Sequence, residues 1–167
     1  MLCSSTIALL AEKAKFLAVN AQSNSANLGY NLITRYPRAD YVCIDTHEAR
    51  LAVGNKFKGV AEVITDDLSK LIECDRIAVT LGSEGCVTFE NGIGTQEVPS
   101  VAGSPIDTVG AGDAFFAITA PIVASGAAMK DVGFIGNIAG GLKINIVGHR
   151  RTIGKAGLVK TAKALLK

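Results

Sequence analysis

Two carboxylates, Asp107 and Asp113, bracket the run Asp107-Thr108-Val109-Gly110-Ala111-Gly112-Asp113, and the apolar stretch Ala114-Phe115-Phe116-Ala117-Ile118 follows at once. This composition joins a loop poor in side chains to the start of a helix. The first N–H groups of a helix lack partners within it and its dipole favours negative charge there, so the segment suits an anion. Gly110, Ala111 and Gly112 let that anion approach the backbone. A carboxylate at Asp113 would repel a phosphate that merely rested nearby; it makes chemical sense beside a hydroxyl about to attack one. The layout is that of a phosphoryl-transfer site, with Asp113 taking the hydroxyl proton and the loop amides facing the moving phosphoryl group. The plainer alternative is a flexible loop whose Asp113 is an ordinary first-turn acid, stabilising its helix by ~0.3–1 kcal/mol.

Two commoner phosphate loops are excluded by the letters themselves. A Walker loop ends in Gly-Lys-Ser/Thr, and a dinucleotide fingerprint needs a third Gly three residues after the second. Neither is present after Gly112.

The elements around this loop alternate between strand and helix, which argues for an α/β fold with a parallel-rich sheet between helical layers. A helix is expected over Thr6 to Lys15, a buried strand over Phe16 to Asn20, and a short helix around Tyr30 to Arg35 that Pro37 ends. Tyr41 to Ile44 reads as a strand leading into a helix from Asp45, Asp66 to Glu73 as a helix and Arg76 to Leu81 as a strand. Cys86 to Glu90 and Ile93 to Val98 flank Asn91-Gly92, a favoured pair for a two-residue hairpin turn. Ala111 to Ala124 follows as a helix that carries Pro121 and ends near Gly126, and helices over Asp131 to Val147 and Ile153 to Leu166 complete the chain. No repeat or low-complexity segment divides the 167 residues, so a single α/β domain is expected.

The string from Asp107 to Asp113 resembles the Asp-Thr-x-Gly-Ala-Gly-Asp motif of the ribokinase-like, or PfkB, carbohydrate kinases. The resemblance implies that Asp113 is the catalytic base and that Gly110, Ala111 and Gly112 form the anion hole. Two further segments agree. Val79-Thr80-Leu81-Gly82-Ser83-Glu84-Gly85 is similar to the family's Thr-Leu-Gly-x-x-Gly nucleotide loop, which implies nucleotide contacts at Thr80, Gly82 and Gly85. Asn137 falls where the family has a helix beside the adenine, so it joins the nucleotide-binding set. ATP and Mg²⁺ are the implied cofactors and a sugar or sugar phosphate the implied acceptor.

A fourth segment departs from the family pattern. Where the family has Asn-x-x-Glu organising Mg²⁺ and its waters, this chain has Asp45-Thr46-His47-Glu48. Asp accepts hydrogen bonds from metal-bound water but adds a charge and removes an amide donor. Asp45 and Glu48 are therefore indirect Mg²⁺ candidates, and their spacing is equally that of a helix capping box. Asp107 resembles a position that helps bind a monovalent cation such as K⁺; a hydrogen bond anchoring the loop serves as well.

The resemblance runs from about Lys15 to the C-terminus, and no Gly-Gly-x-x-x-Asn sugar-binding element precedes it. It implies the C-terminal part of a ribokinase-like three-layer sandwich, without the N-terminal half and lid, and no sugar phosphorylation by the 167 residues alone. The segments Lys15 to Gln22, with Asn24, Asn27 and Gly29, and Arg38 to Tyr41 are similar to kinase domains joined to cytidylyltransferase-like domains, as in ADP-heptose synthases. That implies heptose phosphate as a candidate substrate, and an N-terminal kinase half, a fused nucleotidyltransferase domain or a second copy as partners. A truncated, non-catalytic nucleotide-binding or interaction module is the competing reading.

Composition bounds these expectations. The chain is 49% hydrophobic with 18 Gly, suited to a substantial core, and 17 Lys and Arg against 15 acids give no field that would favour nucleic acid. The local basic cluster of Lys143, His149, Arg150, Arg151 and Lys155 reads as a solvated linker or as a contact to nucleotide phosphates at the rim of the site. Cys3, Cys43, Cys74 and Cys86 lack metal-ligand spacing and read as reduced thiols, three of them in apolar surroundings. The apolar run before Glu12, Lys13 and Lys15 has no cleavage site and no membrane-spanning length, so a cytoplasmic chain without a membrane partner is expected.

Overall fold

Parallel pairing follows from strands that are apolar on both faces. In β2 (Tyr41–Asp45) residues 41 to 44 are all at most 2% exposed, and in β3 (Arg76–Thr80) Ile77, Ala78 and Val79 are 0% exposed. β1 (Ala18–Val19) runs parallel to β2, and β2 parallel to β3, with Asp45 opposite Thr80 at the C-terminal ends of the latter pair. A computed structural model describes residues 2–23, 25–101, 103, 106–148 and 150–167. Its sheet has the order β1-β2-β3-β4-β5, where β4 (Gly85–Glu90) and β5 (Gly94–Pro99) form a hairpin. Residue contacts divide the chain into two units, one of residues 1–81 and 87–96, the other of residues 82–86 and 97–167.

In the first unit, α1 (Ser4–Lys13) precedes β1 and α2 (Thr46–Val53) follows β2. Between α2 and β3 runs a helical stretch with α-helical ends, α3 (Val60–Glu62) and α4 (Ser69–Leu71), around a π-helical middle, Val63–Leu68. Thr65 Oγ1 donates to the Ala61 carbonyl at 3.1 Å and Ser69 Oγ to the Thr65 carbonyl at 2.8 Å, hydroxyl competition of the kind that loosens an α-helical ladder. Val63, Ile64 and Leu68 nevertheless reach the core shared by Ile33, Val42, Ile44, Ile77 and Val79. This helical stretch begins earlier than Asp66, where the sequence places it.

Arg38 ties the end of α1 to β2. Its Nε donates to the Ala11 carbonyl at 2.6 Å, Nη2 to the Ala14 carbonyl at 2.7 Å and Nη1 to Asp40 Oδ2 at 3.0 Å, while Leu17 N–H donates to Asp40 Oδ2 at 2.7 Å. Leu17 thus spends its N–H on a side chain instead of the ladder, so β1 starts at Ala18; it is two residues long and not the five expected over Phe16 to Asn20. The helix expected over Tyr30 to Arg35 is a single 3₁₀ turn, Ile33–Arg35, because Tyr36 before Pro37 is held extended.

The second unit is mainly helical: α5 (Ala111–Ala124), α6 (Met129–Lys143) and α7 (Lys155–Leu165). α5 and α6 approach closely where Gly136 faces Phe115; a Cβ at Gly136 would lie 2.4 Å from the buried ring. α6 stops four residues short of Val147, since Ile146 N–H turns back to the Lys143 carbonyl at 2.9 Å. In the hairpin, Ile93 N–H donates to the Glu90 carbonyl at 3.0 Å with Gly92 at φ +83°, so residues 91–93 form a three-residue connection in place of the two-residue turn. Cys43, Cys74 and Cys86 are buried free thiols and Cys3 is exposed. No described helix is long and apolar enough to cross a membrane.

Candidate active site

The Gly110 loop opens α5 in the way an anion site requires. Gly110, the residue before the helix, has φ +79°, a left-handed conformation that side chains resist, and the first helical bond runs from Ala114 N–H to the Gly110 carbonyl at 3.0 Å. The amides of Gly112 and Asp113 precede that bond and have no acceptor within the helix. Ala111 N–H, expected to serve with them, turns back to the Thr108 carbonyl at 3.3 Å. A Cβ at Gly112 would meet nothing within 4 Å outside its own helix turn, and Gly112 is exposed. Asp113 is exposed in the first turn, with Oδ2 3.9 Å from the position a Gly110 Cβ would take.

Asp107 pins the loop from its other end. Its Oδ1 accepts from Val109 N–H at 3.0 Å and its Oδ2 from Gly148 N–H at 2.8 Å. The N–H groups of Ile106 and Asp107 both donate to the Ile144 carbonyl at 3.0 Å, so the loop hangs on the turn that ends α6. The anchoring role open to Asp107 in sequence is present in this geometry.

Lys143 is the residue that sequence reasoning misplaces. Its neighbours in sequence group it with a basic, solvated stretch, yet it is 7% exposed and donates from Nζ to the carbonyls of Val109 at 2.8 Å, Gly148 at 3.0 Å and Ile146 at 3.4 Å. The available signal is its place at the end of the apolar, glycine-rich run Ile138-Ala139-Gly140-Gly141-Leu142, where a lysine can serve carbonyls left open by the helix. Arg150, Arg151 and Lys155 are exposed, and His149 lies outside the described residues.

Asn137 and Gly85 are structural partners in the same unit. Asn137 is buried, and its Nδ2 donates to the carbonyls of Val98 and Pro99, each at 3.0 Å. Burial pushes the neighbouring Cys86 thiol up to about 12, partly offset by a hydrogen bond with Asn137. Gly85 has φ +111°, and a Cβ there would fall 2.2 Å from the Val98 carbonyl oxygen, so only glycine admits the crossing of residues 98–100. Gly82, at φ +62°, starts the 3₁₀ turn Gly82–Glu84, whose last carbonyl accepts from Ser100 N–H at 3.1 Å.

In the first unit, Asp45, Glu48 and Thr80 come together where β2 and β3 end. Asp45 Oδ1 accepts from Glu48 N–H at 2.7 Å and Glu48 Oε2 from Asp45 N–H at 3.1 Å, a complete capping box at the start of α2. Glu48 Oε1 accepts from Ser23 N–H at 3.1 Å, a partner nothing in the sequence announces. Thr46 Oγ1 donates to the Thr80 carbonyl at 3.1 Å. Burial pushes the Glu48 carboxyl above its usual range; the amides of Asp45 and Ser23 oppose this, and the Asp45 charge adds to it. Both Glu48 oxygens and Asp45 Oδ1 already hold one backbone N–H each, while Asp45 itself is exposed, and among the described residues no group of three or more His, Cys, Asp or Glu is placed to hold a metal ion.

The α5 start thus has the geometry that suits an anion: a left-handed glycine before a long helix, its loop held by Asp107 and by Lys143 from the end of α6. The chain belongs to the pfkB family of carbohydrate kinases, whose sequence pattern matches residues 2–153. It is 30% identical over 120 residues to the bifunctional protein HldE of a Nitratiruptor species, covering 71% of this chain and 26% of that protein. It is 27% identical over 103 residues to HldE of Alcanivorax borkumensis, 56% of this chain and 22% of that one. The chain thus spans about a quarter of the length of these relatives. Among solved structures, Arabidopsis thaliana ribokinase complexed with ribose and ATP aligns with TM-score 0.81 and 19% identity over 96% of this chain and 53% of that one. Phosphofructokinase-2 from Escherichia coli in complex with potassium aligns with TM-score 0.79 and 15% identity, covering 99% and 54%. The fold is ribokinase-like α/β.

Proposed function

We propose that these 167 residues form the ATP-binding part of a sugar or sugar-phosphate kinase, acting as one α/β domain in a longer protein. The observation that carries this reading is the start of α5, where the Gly112 and Asp113 amides lack helical partners and the Asp113 carboxylate stands beside them. Phosphoryl transfer passes through a loose transition state with charge spread over the moving oxygens, so fixed donors and positioning count for more than a strong base. The Gly112 and Asp113 amides face that charge, with Gly110 giving the loop its turn and Ala111 closing it. Asp113 accepts a hydrogen bond from the acceptor hydroxyl, orients its oxygen and takes its proton as the bond to the γ-phosphorus forms and the bond from that phosphorus to the leaving ADP oxygen breaks.

Thr80, Gly82 and Gly85 shape the nucleotide side of the site, and Asn137 contributes by holding residues 98–99 in place. Asp45 and Glu48 are the carboxylates that would hold Mg²⁺ through its waters, and the ion would supply charge to offset that of the phosphates. The resemblance of residues 15–22 and 38–41 to the kinase domains of ADP-heptose synthases favours a heptose phosphate as the acceptor and a nucleotidyltransferase domain as the fused partner, and similarity to proteins named bifunctional agrees with a second domain. The acceptor hydroxyl must be held and shielded from water for transfer, so the 167 residues alone are expected to phosphorylate no sugar.

The test is Asp113→Asn in the complete kinase, which keeps shape and hydrogen bonding but removes the proton acceptor. kcat is expected to fall by ~10²–10⁴, the usual loss for a general base, with nucleotide affinity held or raised. Near-normal turnover would make Asp113 a helix-terminus residue and end this mechanism.

A further inference from the structure

Behind the anion loop lies a small polar cage that the proposed reaction leaves unused. Three carbonyl oxygens, from Val109 on the loop and from Ile146 and Gly148 on the turn after α6, converge on one point, with the Asp107 carboxylate bound to the amides of Val109 and Gly148. Carbonyl dipoles pointed at a common centre repel one another unless a cation sits between them, and such oxygen rings are what strips and replaces the water of a potassium ion. Here the centre is filled from within the chain. Lys143 Nζ takes all three carbonyls, and three acceptors call for three N–H donors, which only the ammonium form supplies. The head group is fixed in depth: Lys143 is 7% exposed, with Nζ 3.7 Å and Cε 3.2 Å from where a Gly110 Cβ would be.

We propose that the Lys143 ammonium is a built-in monovalent cation for the anion loop, so that nucleotide binding does not draw a free ion from solution. A lysine that merely closed its own helix would need only the carbonyls of the α6 end. Lys143 reaches across to Val109, 34 residues earlier in sequence, and so couples the loop before α5 to the turn after α6. Its charge lies directly behind the left-handed glycine that opens α5, where it reinforces the helix dipole toward a phosphate. A free potassium ion has no place beside Asp107 while the ammonium is there. The function of the cation rests on the nucleotide-binding reading above; the filling of the cage does not.

The experiment compares thermal melting and Mg-ADP calorimetry of the 167-residue chain in potassium, ammonium, lithium and choline chloride at equal ionic strength. The unaltered chain should show the same melting temperature and nucleotide affinity in all four salts. Lys143→Ala empties the cage: in choline and lithium it should melt lower and bind Mg-ADP about tenfold more weakly or worse, and potassium or ammonium should restore both. Lys143→Met, which keeps the stem in place without charge, should be lowered in every salt and rescued by none. A purely structural lysine would give no rescue selective for ions of ammonium size. Potassium raising the melting temperature or affinity of the unaltered chain above the choline values overturns the proposal, as does a Lys143→Ala chain that is indifferent to potassium or folds in no salt. If the unaltered chain binds no Mg-ADP in any salt, the nucleotide reading fails while the melting series still decides the cage.

Discussion

At Glu48 a single side chain closes the N-terminus of α2, receives Ser23 N–H and is offered as an outer partner for Mg²⁺ water. Because burial raises its carboxyl above the usual 4.5, the native chain holds this proton to higher pH than the unfolded chain does. Its favourable contribution is complete below the unfolded value and is lost as pH rises through the native one. Unfolding curves from below pH 4.5 upward should therefore show the native chain losing stability relative to Glu48→Gln, which does not titrate. An NMR titration should place the Glu48 midpoint above 4.5. The same variant separates the two roles read from the spacing of Asp45 and Glu48. Weakened Mg²⁺ dependence of nucleotide affinity with the fold intact supports the outer-shell role, and unchanged dependence leaves the pair as a helix cap alone.

Among the elements, the contact of α5 with α6 sets the frame of the anion loop. Gly136→Ala improves intrinsic helix propensity by ~1 kcal/mol, but its Cβ would lie 2.4 Å from the ring of Phe115, which is 3% exposed. Overpacking of this kind costs ~1–3 kcal/mol, so denaturant melts should show a net loss of stability despite the better propensity; a gain would mean the helices separate easily. Period and punctuation make α5, β2, β3 and the Asn91-Gly92 hairpin readable from the amino acids alone, since each is set by local sequence. What is not readable there depends on distant partners. Asp40 caps Leu17 and shortens β1, hydroxyl bonds from Thr65 and Ser69 accompany the π-helical middle, and the Lys143 head group finds a loop 34 residues away. The Asp107–Asp113 motif is legible because the proposed phosphate site would be built from consecutive amides; the cage behind it is not, because its oxygens are backbone carbonyls that any residue could supply.

For the whole molecule, the ribokinase-like fold and membership of the pfkB carbohydrate kinases place the chain among kinases, while the chain spans about half of ribokinase and a quarter of HldE. The function proposed above asks one thing of these residues by themselves, that they receive a nucleotide. The direct test is a ¹⁵N-labelled NMR titration of the 167-residue chain with Mg-ATP. Saturable shifts at millimolar nucleotide are expected at the amides of Gly112 and Asp113 and at residues 82–85, with Gly112→Val abolishing them while leaving the remaining spectrum folded. Amides of Gly112 and Asp113 that stay in place throughout the titration, in a chain shown to be folded by the rest of its spectrum, would contradict the assignment of the α5 start as the phosphate site.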